Sequence, residues 1–530
     1  MALLLRNLVQ NLDDGRNLRD LAAERLGIAP MEILALRIVR KSIDARRKAQ
    51  IKFIHAIEFS VANETALLAR QRANADLLPL AAVPPLVMPQ LSSSRRIVIA
   101  GMGPAGLFAA LRLADYGLCA RVLERGRPVE ERAVHVQRFW KSGELDPESN
   151  VQFGEGGAGT FSDGKLTTRV NDANIAYVLG KLADHGAPPE ILYVAKPHVG
   201  TDMLRGVIVS IRQHLESRGF AMQFSRKLTD LGRRDGRLTH LEVNDGEEIP
   251  CDFLVLAPGH SARDTYSMLV DRQVELRQKP FAIGVRVEHP QALINTIQFG
   301  IPGHPRLPAA DYALAWNDAD TGRSVYSFCM CPGGEVVASA SESGGVVTNG
   351  MSGYRRDLPY ANSALVVSVG REDFGDGPLD GVEFQRFWER KAFLAGGSSY
   401  RAPAQNLLSF LGGKRHSVLH STYRPGIVES DLDQTLPAAV ATALRSGLRV
   451  FDRKMKGFVT GEASLIGVET RTSAPVRIVR GDDFQSVSLS GLYPAGEGAG
   501  YAGGIMSAAL DGIRVADAIA RRIKAETRQD

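Results

Sequence analysis

Ten residues, Ile97-Val98-Ile99-Ala100-Gly101-Met102-Gly103-Pro104-Ala105-Gly106, constrain this chain more than any other stretch. Three β-branched residues and an alanine predict a buried strand. A helical pattern follows as far as Tyr116, where Gly117 stops it. The intervening glycines have separate tasks. Gly101 permits the tight turn, Gly103 lets backbone approach a ligand, and Gly106 lets helix and sheet pack closely. The helix that starts near Pro104 offers unpaired N–H groups and a positive dipole end, which suits a pyrophosphate. A further strand ends at Glu124, roughly twenty residues on, where a carboxylate accepts from ribose hydroxyls. Strand, turn, helix, strand and acid, in that order, predict a dinucleotide unit in a doubly wound, Rossmann-like α/β domain.

A second glycine-rich segment, Gly491 to Gly504, lies far down the chain. Its Gly503-Gly504 opens a helix from Ile505 to about Arg522, and Glu497 stands where an acid binds a ribityl hydroxyl. The helix dipole would favour negative charge on a reduced flavin. Taken singly, this is a glycine turn of packing value. Taken together, the two segments fit the two ends of one FAD. Between them Gly154 to Lys165 is rich enough in small residues to approach a ligand, or to form a flexible loop. The candidate FAD contacts are Gly101, Gly103, Pro104, Ala105, Gly106, Glu124 and Arg125 in the first unit. Gly156, Gly157, Ala158, Gly159, Thr160, Ser162, Asp163, Gly164 and Lys165 follow in the loop. Leu228, Ala257, Pro258 and Gly259 come next, then Gly496, Glu497, Gly503, Gly504 and Ile505. No residue is diagnostic of covalent attachment, so the FAD is expected to be non-covalent.

A chain of 530 residues allows two or three domains, and 44% apolar with 23% charged residues is ordinary for a globular protein. Net charge is +5, too diffuse to announce a nucleic-acid binder. Four cysteines occur without a C-x-x-C or a zinc-spaced Cys/His cluster, which fits a reducing compartment and no metal. Apolar runs fall short of a membrane span, and Asp13-Asp14 comes too early for a signal peptide. A soluble, cytoplasmic protein is expected.

Residues 1–90 read as a small β-α-β-β module and linker, the latter marked by Pro84-Pro85, Pro89 and Ser92-Ser93-Ser94. Residues 91–278 and 487–530 read as two parts of the FAD domain. Residues 279–486, strand-like runs mixed with helices, read as an inserted β-rich α+β substrate domain. An insertion explains why the FAD segments lie so far apart.

Several stretches resemble the uncharacterised bacterial FAD-dependent dehydrogenase family, within the glutathione-reductase-type flavoproteins. They are Gly154–Lys165, Lys196–Asp202, Gly259-His260-Ser261-Ala262-Arg263-Asp264-Thr265, Lys279–Arg286, Cys329-Met330-Cys331-Pro332-Gly333-Gly334, Gly467–Ser473 and the final glycine segment. The resemblance implies an FAD domain, a β-rich substrate domain and a small N-terminal domain, and no particular substrate. Two positions depart from the wider flavoprotein pattern. Ala257-Pro258-Gly259 replaces Ala-Thr-Gly, and Glu497 replaces Asp at the ribityl contact.

The expected activity is that of an oxidoreductase passing hydride or electrons between a small-molecule substrate and flavin N5. There is no C-x-x-x-x-C pair and no second nucleotide-binding unit, so NAD(P)H would act as a transient reductant across the flavin face. A monooxygenase, an RNA-modifying flavoprotein and a non-enzymatic FAD protein are the alternatives. His198 is a candidate general acid/base, or a histidine packed under the helix near Asp202. Lys165 faces either flavin or solvent. Glu469 and Arg471 could present a carboxylate and a guanidinium to substrate, or form an ion pair. Cys329 and Cys331, two apart in a strand, share a face and read as buried structural cysteines; a redox pair would need a strained small ring. The basic run Arg37, Arg40, Lys41, Arg46, Arg47, Lys48 and Lys52 interleaves with apolar residues and reads as a solvated sheet face rather than an RNA site.

Overall fold

A computed structural model describes residues 2–81, 87–414 and 416–527. Pro84-Pro85 of the linker lie outside them. The chain builds a parallel sheet from short strands in the order Leu492–Pro494, Phe253–Leu256, Ile97–Ala100, Arg121–Glu124, Ala221–Phe224, buried except at the Ala221–Phe224 edge and Arg121. Alternate side chains point to opposite faces, so each strand feeds two cores. Ile97, Ile99, Val122 and Val255 pack under helices Pro104–Asp115, Thr201–Ser217 and Ile505–Glu526. Val98, Ala100, Leu123 and Leu254 face the other way. That second face differs from the doubly wound expectation. An antiparallel sheet of Leu228–Arg234, Arg237–Val243 and Glu247–Pro250 covers much of it, with helix Arg263–Asp271 alongside. Leu241 and Val243 alternate at period two, and a register shift brings Leu238 into the same core, so this sheet supplies an apolar side as well as a helix would.

The C-terminal helix lies against helix Pro104–Asp115 at very short range. A Cβ on Gly512 would stand 2.0 Å from the Ala105 carbonyl oxygen, so only glycine allows this approach. Arg112 and Asp517 tie the same two helices by an ion pair at 2.6 Å.

A second sheet holds seven strands: Ala315–Asn317, Ser324–Cys331, Tyr360–Val369, Phe281–Pro290, Ser464–Glu469, Ala402–Asn406 and Ile427–Glu429, in that order. The chain passes toward it through Leu276–Gln278 and back through Val476–Ile478, and these two strands pair antiparallel. One excursion therefore separates the two glycine-rich segments. Helix Val129–Ser142 crosses between the layers, with Trp140 buried in the second core and its Nε1–H donating to the Ala338 carbonyl at 2.9 Å.

The N-terminal module contains Ala2–Asn11, helix Leu18–Leu26, Ile33–Asp44 and Lys52–Val61, as the pattern implies, and also a fourth strand, Leu77–Leu80. Its Pro79 lacks an N–H, which a sheet edge tolerates. The module docks on both larger layers. Lys41 exchanges backbone hydrogen bonds with Tyr193 and Ala195, and Arg306 donates to the Leu12 and Asp14 carbonyls at 2.7 Å. Part of the basic run is spoken for locally: Arg37 pairs with Glu58, and Arg46 with Asp44.

Candidate functional site

One cavity of about 1120 Å³ runs from the carboxyl ends of the parallel strands to the second sheet. This is where ligands bind in open α/β sheets. Of the residues singled out from sequence, Gly101, Gly103, Pro104, Ala105, Glu124, Arg125, Gly157, Ala158, Gly159, Ser162, Asp163, Gly164 and Lys165 line it. So do Leu228, Ala257, Pro258, Gly259, Glu469, Arg471, Glu497, Gly503, Gly504 and Ile505. Gly106, Gly156, Thr160, Gly496 and His198 stand behind this lining.

The two kinds of glycine are now separable. A Cβ on Gly101, whose φ is +107°, would meet the Ala257 carbonyl oxygen at 2.1 Å. One on Gly106 would stand 1.9 Å from the Gly101 oxygen. Both serve the turn itself. At Gly103 the nearest atom to such a Cβ is Gly157 Cα at 3.8 Å, so the space there belongs to the cavity. Gly103 and Gly504 precede helices whose N-termini no side chain caps, and both helices begin at the cavity wall. Their free N–H groups and dipoles suit a diphosphate and a flavin ring that gains negative charge on reduction.

Glu124 is buried and accepts backbone N–H bonds from Met102 at 2.9 Å, Gly126 at 2.9 Å and Gly154 at 3.0 Å. It thus ties the first turn to the Gly154–Lys165 loop while its carboxylate borders the cavity. That loop is also held from behind. Arg132, with no exposed surface, donates to the Asn150, Val151, Gly154 and Glu155 carbonyls. Asp163 pairs with Arg356 at 2.9 Å, and Lys165 reaches the Met330 carbonyl and stands 3.4 Å from Asp163. The segment is therefore an anchored wall.

At the other end Glu497 is half-buried, and its carboxylate accepts no hydrogen bond from any described residue. Burial pushes it up to about 7, with Lys279 pulling against that shift. A ligand hydroxyl would supply the missing partner. Behind it Asp511 accepts the Gly496 N–H at 2.7 Å and pairs with Arg480 at 2.6 Å, fixing the turn that carries Glu497. The shift has a measurable consequence. The unfolded chain ionises Glu497 near the ordinary 4.5, the folded flavin-free protein near 7. Between those values the folded state binds more protons, so its stability falls as pH rises through the window. Glu497→Gln removes that loss, and the melting temperature of the flavin-free variant should gain on wild type from about pH 4.5 to about pH 7. A difference that stays flat would mean the carboxylate is solvated.

Glu469 and Arg471 both border the cavity but do not pair with each other. Glu469 faces Arg286, which has no exposed surface, at 2.9 Å. Arg286 also donates to the Cys329 carbonyl at 2.7 Å and the Asn349 side chain at 2.9 Å. Burial opposes its charge, and the adjoining Glu469 carboxylate more than restores it. Arg471 binds Glu389 at 3.0 Å and the Ser261 hydroxyl at 3.0 Å. Arg263 takes the same Glu389 at 2.7 Å. Burial works against ionisation of Glu389, and the two guanidiniums reverse it, holding the carboxyl well below its usual range. Residues from four distant segments thus form a charged cluster that reaches the cavity through Glu469 and Arg471.

His198 does not reach the cavity. Its Nε2 lies 2.9 Å from the Tyr354 carbonyl, to which it donates, and its ring stacks on Tyr354. Burial drives it down to about 4, so it is neutral near pH 7. The imidazole thus packs on Tyr354, away from the cavity lining. The histidine that does line the cavity is His260, 3.0 Å from Ser261 Oγ and pushed by burial down to about 3. Lys279 lines it too. Both belong to distinctive segments of the sequence, which was the available signal; neither residue type alone would have marked them. The strand carrying the two cysteines is also irregular. Pairing slips between Phe328 and Cys331, and Cys329 has a φ of +43°, so simple alternation does not describe it.

An uncapped helix behind a glycine turn, a buried strand-end carboxylate and a second uncapped helix border one cavity in a protein of α/β architecture, an arrangement that fits an FAD. Residues 280–472 match the model of the "FAD-dependent protein, C-terminal domain-like" family, and residues 3–60 match a domain of unknown function. A Clostridium beijerinckii protein described only as uncharacterized is 47% identical over 98% of both chains. The chain belongs to the family of that protein and carries its FAD-dependent C-terminal domain; FAD is the cofactor. Similar solved structures include the flavin-dependent brominase Bmp2, at TM-score 0.36 and 14% identity over 81% of this chain and 79% of that one. A variant of the halogenase PltM in complex with FAD gives TM-score 0.37 and 10% identity over 82% and 70%. Among the described residues no helix is long and apolar enough to cross a membrane.

Proposed function

We propose that this protein is an FAD-dependent oxidoreductase that moves hydride or electrons between a small-molecule substrate and the flavin. The carrying observation is the continuous cavity that joins Glu124, both uncapped helix N-termini and Glu497, whose carboxylate no described residue hydrogen-bonds. Gly103, Glu124 and the Pro104 helix would hold the adenosine and pyrophosphate portion; Glu497 and the Ile505 helix would hold the ribityl chain and ring. Bound there, the flavin supplies the redox chemistry. The chain supplies position, exclusion of water and charge.

Beyond the cofactor contacts, the cavity continues along Leu314, Asn317, Tyr326 and Phe328 of the second sheet. This mixed wall, with Arg471 and Lys279 at its edge, is the proposed substrate face, and its concave, largely apolar character fits a small organic molecule. His260 remains neutral and stands as a hydrogen-bonding group, not a proton store. A parallel sheet covered by helices on one face and a three-stranded sheet on the other supports placement among the glutathione-reductase-type flavoproteins. The test is anaerobic mixing of the yellow protein with NADH, NADPH and a panel of oxidisable metabolites. At least one should bleach the flavin at a saturable rate. A flavin that none of them reduces faster than spontaneous bleaching would overturn the reading.

A further inference from the structure

Cys329 and Cys331 lie where the second sheet meets the cavity. Cys329 lines the cavity wall and is partly exposed; Cys331 is buried behind it. Neither is in a disulfide, and the two thiols are neighbours that act on each other's ionisation. Cys331 Sγ is also 3.4 Å from the Cys329 carbonyl oxygen.

The backbone here is built, not incidental. The strand carries an extra residue against its partner between Phe328 and Cys331, and Cys329 takes a left-handed φ of +43°, a conformation that residues other than glycine rarely adopt. Two cations hold this Cys-Met-Cys bend. Arg286 donates to the Cys329 carbonyl at 2.7 Å, and Lys165 to the Met330 carbonyl. A bulge that re-aims side chains beside a cavity is a device found at reactive sites. Purely structural cysteines need neither the bulge nor the cations. A reactive thiol needs nearby cations and partial access; Cys329 is partly exposed, and Arg286 and Lys165 flank it, each also facing a carboxylate. Its neighbour favours the thiolate, as do Arg286 and Lys165, although burial opposes it.

We propose that Cys329 and Cys331 form a redox-active pair that exchanges two electrons with the flavin bound in this cavity. The inference rests on the flavin-enzyme reading above. In the step, the Cys329 thiolate and the Cys331 thiol form one S–S bond. They lose two electrons and the Cys331 proton, and the oxidised flavin takes up all three. The reverse reaction returns a thiolate, a thiol and oxidised flavin. Cys331, shielded from solvent, is the partner that closes the bond, and Cys329 is the one that meets outside reagents.

The test counts electrons in the holoenzyme. After aerobic purification, anaerobic titration with dithionite should consume two electron pairs per bound flavin in wild type and one pair in Cys329→Ser and Cys331→Ser. Independently, iodoacetamide followed by peptide mass spectrometry of the unfolded wild type should leave Cys329 and Cys331 unmodified until a reductant is added. Cys119 and Cys251 should be modified without it. The second readout needs no variant, so a poorly folding mutant does not decide the matter. Wild type that takes up one pair, with Cys329 and Cys331 freely alkylated, overturns the pair while leaving the flavin enzyme intact. A protein whose flavin no donor reduces at a saturable rate, yet which takes up two electron pairs from dithionite, would instead fail the enzyme reading alone.

Discussion

Replacing Gly103 with valine should leave a folded protein that no longer holds its flavin. The added Cβ meets no protein atom closer than 3.8 Å, and the backbone there, at φ −75° and ψ −177°, is extended and suits any residue. The side chain instead occupies cavity where a pyrophosphate would press against the turn. Affinity for FAD should fall by at least ~100-fold, a loss of about 3 kcal/mol. Gly101→Val is the contrasting case. Its Cβ lies 2.1 Å from the Ala257 carbonyl and its φ is left-handed, so the turn itself must open and folding should suffer first. Thermal melting and flavin content of the two variants, side by side, separate a ligand glycine from a fold glycine. A Gly103→Val protein that purifies yellow with unchanged affinity would remove the pyrophosphate from this turn.

Arg286→Met should be the most damaging substitution on the substrate side. It leaves the Glu469 carboxylate, the Cys329 carbonyl and the Asn349 side chain without their shared donor, and Arg286 and Glu469 are themselves almost wholly buried. Stripping one partner from a buried ion pair costs about 3–5 kcal/mol, a large share of the roughly 5–15 kcal/mol that holds a typical fold together. Removing the stranded charge as well, in Arg286→Met/Glu469→Leu, should recover much of the loss, because the apolar pair carries no desolvation cost. Urea denaturation with separate probes for the two sheets measures both, since a chain with several layers need not unfold in one step. A loss under about 1 kcal/mol for the single variant would show that water reaches the pair.

The parts of the site that were legible beforehand are those in which chain geometry and ligand geometry coincide locally. Gly101, Gly103, Gly106 and Glu124 sit at spacings that a strand-turn-helix-strand unit imposes; the cavity forms against Gly101, Gly103 and Glu124, with Gly106 behind them. The candidate catalytic residues were less legible. His198 has the right chemistry and a suggestive position before a helix, yet the side chain turns toward the Tyr354 carbonyl. His260, in an equally distinctive segment, turns toward the cavity. Nothing in residue type distinguishes the two, because burial and direction depend on which distant segment packs against each.

Sequence alone determined the glycine turn between strand and helix, the strand and helix periods and the return of the last helix to the first sheet. These follow from dihedral freedom and apolar spacing over a few residues. Tertiary structure decided which charges met. Arg286 and Glu469 are 183 residues apart, and Arg263 and Glu389 are 126 apart. Opposite charges carry no address along a chain. Only packing, which withdraws them from water together, makes one partner count over all the others.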